Sequence, residues 1–256
     1  MSSNHIRTAV LNGVATIEIA RPEKKNALTM AMYDAMADAL DAAGADAAVR
    51  AVLFTGQPGV YTSGNDLEDF MQRPPQDEDS PVFRFMKALL VCEKPVVVAV
   101  TGAAIGIGTT MLLHSDLVYV ADDARLAMPF VGLGLVPEYA SSLLLPRLVG
   151  HARAAEKLLL GEPFGAAEAV EMGLANAVLP AGEVLPHARR MAERFNALPP
   201  GAVRDAKMLM RRWQGDLVVE QIRAEAEIFR SRLRSPEAME AFSAFFQKRK
   251  PDFSRF

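Results

Sequence analysis

Residues 95–100 read Pro-Val-Val-Val-Ala-Val, with no polar side chain among them. An unbroken apolar run rich in valine suits a strand, and successive strand side chains point to opposite faces, so this strand must be buried on both. Residues 51–55, ending at Gly56, form a second short buried strand of this kind, and residues 117–120 a third. Residues 14–20 alternate instead, and Arg21-Pro22 stops them. A chain of 256 residues, half of them apolar, can bury such a core, and one domain with a helical extension is expected.

Elsewhere the apolar period is that of helices. Thr29 is placed to cap a helix in which Met32, Met36, Leu40 and Ala43 share a face, with Asp34, Asp38 and Asp41 mostly elsewhere. Residues 72–81, rich in proline and acids, predict an exposed mobile loop, and 81–91 a helix. The glycine-rich stretch 102–108 is expected to open an apolar helix running to His114. After Pro137 helices are expected near 139–149, 151–160 and 166–172, then one more strand at 175–179, then helix from 182 onward. Ser235, Pro236 and Glu237 form an N-cap, a first-turn proline and an acid matched to the helix dipole, followed by an apolar stripe of Met239, Phe242 and Phe246. Strand, strand, helix units recur loosely in the first half, without a repeat of fixed length.

A formal net charge of −3 offers no broad basic field for a phosphate backbone, so nucleic acid is not an expected partner. One cysteine, Cys92, excludes an internal disulfide and any cysteine-rich zinc site. His5, His114, His151 and His187 have no partners at ligand or triad spacing, and His114 reads as a packed core residue; no metal is expected. No stretch approaches bilayer-spanning length, and residues 1–5 hold no apolar signal core, so the expectation is a cytoplasmic protein that binds no membrane.

Three segments carry a chemical proposal. Ser63, Gly64, Asn65, Asp66 and Leu67 follow one strand-like run, Gly106, Ile107 and Gly108 follow another, and Glu138 lies between Pro137 and the pair Ser141, Ser142. Brought together, two backbone N–H groups would hold a negatively charged oxygen beside one carboxylate base, which is equipment for making an enolate. Each piece alone has a plainer explanation. The glycines fit neither phosphate-binding template: no Lys-Ser/Thr follows them, and Met111 stands where the dinucleotide fingerprint wants glycine or alanine. Ser63 lacks the flanking glycines of a nucleophile elbow, since Tyr61 and Asn65 occupy those places. Glu138 in a first helical turn, and Lys248 to Lys250 at a helix end, are both explained by the helix dipole.

In combined order and spacing, these segments resemble the crotonase superfamily, the enoyl-CoA hydratase and isomerase family. The resemblance begins at Arg21, Pro22 and Asn26, Ala27, Leu28. It continues through 63–67, 101–108, Asp116, Met128, Pro129 and Pro137, and closes at 245–253. It implies an α/β fold: a spiral of ββα units over 1–195 holding an acyl-CoA site, then a helical region over 196–256 that makes trimers or dimers of trimers. It also implies that the thioester oxygen sits between the backbone N–H groups of Asn65 and Ile107. For the CoA part the resemblance points to Lys24, Asn26, Ala27, Asp66 and Leu67, with Ser63, Gly64, Gly106, Gly108 and Phe130 completing the substrate site and Lys248 reaching a phosphate from an adjacent subunit. Coenzyme A enters with the substrate, and no separate cofactor is expected.

Acids decide which reaction follows. Hydratases of the family carry two glutamates where this chain has Thr110 and Phe130, so ordinary hydration loses its acid and base together; Phe130 likewise removes the acid of related CoA hydrolases and dienoyl-CoA isomerases. Glu138 remains, and with the segments around it looks like the Δ3,Δ2-enoyl-CoA isomerase branch, in which the matching glutamate is the catalytic base. One carboxyl group suffices for a 1,3-proton shift, and apolar neighbours such as Phe130 or Leu133 would suit it by raising its pKa. Two alternatives stay open: hydration with atypical acid and base residues, and an acyl-CoA-binding relative without turnover.

Overall fold

The computed structural model describes residues 5–212 and 215–256. In chain order the strands are β1 (Ile6–Leu11), β2 (Val14–Ile19), β3 (Ala51–Thr55), β4 (Val60–Thr62), β5 (Val96–Val100), β6 (Ala103–Ile105), β7 (Leu117–Ala121), β8 (Arg125–Ala127), β9 (Phe164–Gly165) and β10 (Ala177–Leu179). The helices are α1 (Met30–Ala45), α2 (Leu67–Gln72), α3 (Pro81–Val91), α4 (Ile107–Thr110), α5 (Ser141–Val149), α6 (His151–Leu159), α7 (Ala166–Glu171), α8 (Ala181–Glu193), α9 (Pro200–Arg211), α10 (Gly215–Arg232) and α11 (Pro236–Phe246).

Two sheets share the strands. A six-stranded sheet runs β1-β2-β3-β5-β7-β10, parallel except for the β1/β2 hairpin, and a four-stranded sheet runs β4-β6-β8-β9. Each turn of the chain gives one strand to each sheet: β3 then β4, β5 then β6, β7 then β8. This α/β spiral agrees with the fold class that the resemblance implies.

The apolar runs are explained by the two faces of the large sheet. On β5, Val96, Val98 and Val100 enter the main core, while Val97 and Ala99 enter a second core under α8 with Val184, Ala188 and Ala192. On β3, Val52 and Phe54 face the first core and Ala51 and Leu53 the second. The registers Val52↔Val96 and Val97↔Leu117 keep these faces aligned across the sheet. Helix α1 starts where Thr29 accepts a hydrogen bond from Met32 N–H, and it buries Met32, Met36, Leu40 and Ala43. Its aspartates lie outside, where Arg84 of α3 pairs with Asp34, Asp38 and Asp41.

Three expectations change. The stretch 102–108 is not a helix opening but contains β6, and helix begins only at Ile107, passing into a 3-10 turn at Met111. Strand β1, which the sequence pattern does not predict, pairs along β2 with register Ile6↔Ile19. The stripe on α11 is split: Phe242 is buried, whereas Met239 and Phe246 are about half exposed. Phe229, Ala238 and Phe242 of the C-terminal helices join the main core directly.

Candidate active site

Between the strand ends and the C-terminal helices lies a cavity of about 700 Å3. Its wall takes Lys24, Lys25 and Ala27 from the loop before α1, residues 63–68 after β4, and Ile105, Gly106 and Ile107 at the β6–α4 junction. Pro129, Phe130, Gly132, Leu133, Leu135 and Glu138 follow β8, and Phe70, Phe229, Phe242, Phe245 and Phe246 close the apolar side.

Two backbone donors are left unspent on this wall. Leu28 and Asn65 form a parallel bridge in which Leu28 N–H donates to Gly64 O at 2.8 Å and Asp66 N–H donates to Leu28 O at 2.9 Å. Alternation along an extended backbone therefore turns Asn65 N–H to the opposite side. Ile107 opens α4, and a first-turn N–H has no acceptor within its helix. Among the described residues, no acceptor meets the N–H of Asn65 or of Ile107.

Glycine is required in both loops. Gly64 has φ +89°, and a Cβ there would stand 2.9 Å from Ile105 O, so the missing side chain is what lets the two loops approach. Gly106 has φ 58° and ψ −119°, a conformation that L residues avoid, and its N–H donates to Ala127 O at 2.9 Å. Tyr33 donates its hydroxyl hydrogen to Asn65 Oδ1 and so steadies the residue whose N–H is free.

Asn26 and Gly108 do not line the cavity; they brace it. Asn26 is fully buried: it accepts from Arg21 N–H at 2.7 Å and donates to Val60 O and Tyr61 O at 3.0 and 3.1 Å. Those bonds tie the 21–26 loop to β4. Gly108 leaves room for Thr62, whose Cγ2 would lie 2.4 Å from an added Cβ. Lys248 is exposed beyond α11 and is not part of this chain's cavity wall.

Asp66 is on the wall but committed. Arg21 Nη1 lies 2.7 Å from Asp66 Oδ2, and Asp66 Oδ1 caps α2 by accepting from Asp69 N–H at 3.1 Å. Burial works to raise its pKa, but the bonds from Arg21 and Asp69, with the charges of Arg21 and Lys24, hold it below the usual carboxylate value. Glu68 is exposed. Glu138 is the buried carboxyl group among the described wall residues, and its Oε1 has no hydrogen-bond partner.

Burial, with the charge of Glu225 second, pushes the Glu138 carboxyl up from 4.5 to about 8. Phe130, Leu133 and Leu135 share its part of the wall and supply no compensating polarity. Thr110 is buried with its hydroxyl oxygen unpartnered, but it is not on the wall. His114 is a core residue as expected: it stacks on Tyr139 at 3.7 Å, donates from Nε2 to Tyr139 O at 2.8 Å, and burial lowers its pKa to about 4.

Taken together, the cavity wall carries two main-chain N–H groups without acceptors and one buried carboxyl group whose pKa is raised toward neutrality. The profile of the enoyl-CoA hydratase/isomerase family matches residues 10–255, nearly the whole chain. This chain belongs to the enoyl-CoA hydratase/isomerase family. Enoyl-CoA delta isomerase 2 of Rattus norvegicus is 36% identical over 243 residues, which are 93% of this chain and 62% of the rat protein; the chain thus spans less than two thirds of that relative. A probable enoyl-CoA hydratase of Mycobacterium leprae is 31% identical, covering 94% of each chain. Among solved structures, OdaA of Pseudomonas aeruginosa is 55% identical with a TM-score of 0.93, covering 95% of this chain and 99% of that one. Relatives bearing isomerase and hydratase names thus occur at similar identity.

The sequence reading missed several wall residues, among them Phe70, Ile105, Gly132, Leu135, Phe229 and Phe245, it placed Phe242 and Phe246 only on a helix stripe, and it missed Glu225 behind the wall. Among the described residues no helix is long and apolar enough to cross a membrane, and no group of three or more His, Cys, Asp or Glu could hold a metal ion.

Proposed function

We propose that this family member shifts a double bond of an enoyl-CoA from position 3 to position 2, with Glu138 as both base and acid. One observation carries the reading: a buried carboxyl group with a free oxygen shares a cavity with the two unspent N–H groups of Asn65 and Ile107. Glu138 takes a proton from C2 of the 3-enoyl thioester. The released electron pair moves into the thioester carbonyl, and the two N–H groups hold the resulting enolate oxygen. Glu138 then returns the proton at C4, the electrons move back, and the C2–C3 double bond forms; no atom is gained or lost.

A carboxyl group with a pKa of about 8 matches this alternation, because it accepts and releases a proton with little penalty near neutral pH. Hydration would ask for a second carboxyl group facing the substrate. Asp66 is held by Arg21, and the places of the hydratase acids have Thr110 and Phe130. The CoA portion is assigned to the Lys24, Lys25 and Ala27 side, and the acyl chain to the phenylalanine side.

Purified protein should convert a 3-enoyl-CoA to its conjugated 2-enoyl isomer, followed by the absorbance of the conjugated thioester. Glu138→Gln should lower that rate by about 10²–10⁴ while CoA-ester binding is kept. Equal rates in the two proteins would reject the assignment. Loss of absorbance from an added 2-enoyl-CoA would select hydration, and binding without any turnover a non-catalytic acyl-CoA protein.

A further inference from the structure

The charged group nearest in influence to Glu138 comes from an element the reaction does not otherwise use. Glu225 of α10 is buried, and its carboxylate accepts Ala140 N–H at 2.6 Å, Ser142 N–H at 3.1 Å and the Ser142 hydroxyl hydrogen. Gln221, one turn earlier on α10, donates to Ser142 Oγ at 2.8 Å. These bonds grip the segment that immediately follows Glu138. There, Tyr139 and Ala140 both take left-handed conformations, with φ 57° and 55°, which non-glycine residues hold only when the surroundings enforce them. Among the described residues no cation forms an ion pair with Glu225. Glu138 and Glu225 also line one small apolar cavity, with Phe70, Met86 and Phe229 around it. Two carboxyl groups thus meet behind the active cavity, with one of them held in place by donors and the other free.

We propose that Glu225 is a positioning residue for Glu138: it clamps the left-handed Tyr139–Ala140 turn that aims Glu138 into the cavity, and it sets a second carboxyl group against the same small cavity. This deepens the isomerase reading and rests on it for the catalytic consequence. The other groups near the pair do not substitute for Glu225. Tyr33 of α1 is a buried phenol whose pKa is pushed well up, by burial first and then by the charge of Glu138, so it stays neutral. His114 is neutral at working pH. Arg211 of α9 gives its Nη2 to His114 O and Asp116 Oδ1, and its Nη1 is buried without a hydrogen-bond partner, so it makes no bond to Glu138 or Glu225. Arg223 of α10 points to Glu78 at the surface.

The test reads the ionisation of Glu138 directly, without substrate. In protein carrying 13C at the glutamate carboxyl carbons, the Glu138 resonance is assigned by its loss in Glu138→Gln, and its titration midpoint is compared between variants. Glu225→Gln keeps the shape and one acceptor oxygen but removes the charge, and should lower the midpoint by about one pH unit. Gln221→Lys sets an ammonium group four residues before Glu225 on the same helix, leaves every backbone bond of Glu225 in place, and should move the midpoint down by a smaller amount. Should Glu225→Gln not fold, Glu225→Asp decides the matter: the shorter side chain draws the same charge back toward α10, so the midpoint should fall by less than the full shift. An unchanged midpoint in a folded variant overturns the proposal. The clamp is read separately: Glu225→Asp keeps the charge and shortens the reach, so kcat should fall with KM nearly constant, and an unchanged kcat would overturn that half. The titration does not depend on turnover, so a wild-type protein inactive on 3-enoyl-CoA would remove the isomerase reading and leave the midpoint shift standing.

Discussion

At the scale of single residues, the site depends on one carboxyl group being uncomfortable. A Glu138 pKa of about 8 means the base form is the minor one at pH 7, so kcat/KM for isomerisation should rise about tenfold per pH unit below 8 and level off above it. A flat profile from pH 6 to 9 would contradict this. The same discomfort has a stability cost with a definite sign. Unfolded, the group titrates near 4.5; folded, near 8; between these values the folded chain holds the extra proton, so stability falls as pH rises through the window. Glu138→Gln should therefore be more stable than wild type, by a margin that opens at up to about 1.4 kcal/mol per pH unit between pH 5 and 8 and is constant beyond, as measured by urea unfolding at a series of pH values. The backbone donors make a different demand. Gly106→Ala meets no neighbour closer than 3.8 Å, so its defect should come from φ 58° rather than from a clash. It should cost about 1–3 kcal/mol of stability, and a displaced Ile107 N–H should lower kcat by about 10²–10³.

Elements are held to one another by charges that strand and helix patterns do not reveal. Asp116, which enters the sequence reading only as part of a resemblance, joins β5 to α9: it accepts Val96 N–H at 2.7 Å, pairs with Lys207 at 2.6 Å and with Arg211 at 2.9 Å. Lys207 is 5% exposed, and losing its partner would leave a buried ammonium group uncompensated. Asp116→Ala should cost about 3–5 kcal/mol, whereas the double change with Lys207→Met should recover much of it, because an apolar pair of similar volume avoids desolvating charge. Equal losses in the single and double variants would place the effect in the Val96 and Arg211 bonds instead. Glu225 shows that such residues can leave a trace. Val218, Ile222, Glu225 and Phe229 follow the spacing of one helix face, so an acid sits in what is otherwise an apolar stripe. A buried acid on an apolar face is a sequence signal, but its meaning depends on the turn at Tyr139, which no local pattern announces.

For the whole molecule, legibility followed burial. Strands β3, β5 and β7 could be read because their two faces enter two cores, which leaves unbroken apolar runs; β1 escaped because five of its six residues are exposed, and β6 because three residues are too few to show a period. The donor loops and Glu138 were legible as ordered fragments, and the aromatic wall was not, since it is completed by helices about 100 residues further along the chain. That assembly has an energetic consequence. Phe245 and Phe246 are 58% and 51% exposed although they face the cavity, so an acyl chain lying against them would remove apolar surface from water at about 25 cal/mol per Å2. A ligand that binds the folded chain alone raises its stability by about 2.7 kcal/mol at a hundred times its Kd, so acyl-CoA should raise the melting temperature more than free CoA at equal concentration. Phe246→Ala should reduce that difference while leaving the smaller shift from CoA unchanged, because the side chain stands among the wall phenylalanines and makes no part of the Lys24–Ala27 wall. If acyl-CoA and CoA gave the same shift in wild type, the phenylalanines would not be the acyl site. If Phe246→Ala weakened both shifts equally, the residue would act through the packing of α11 and not through contact with the chain.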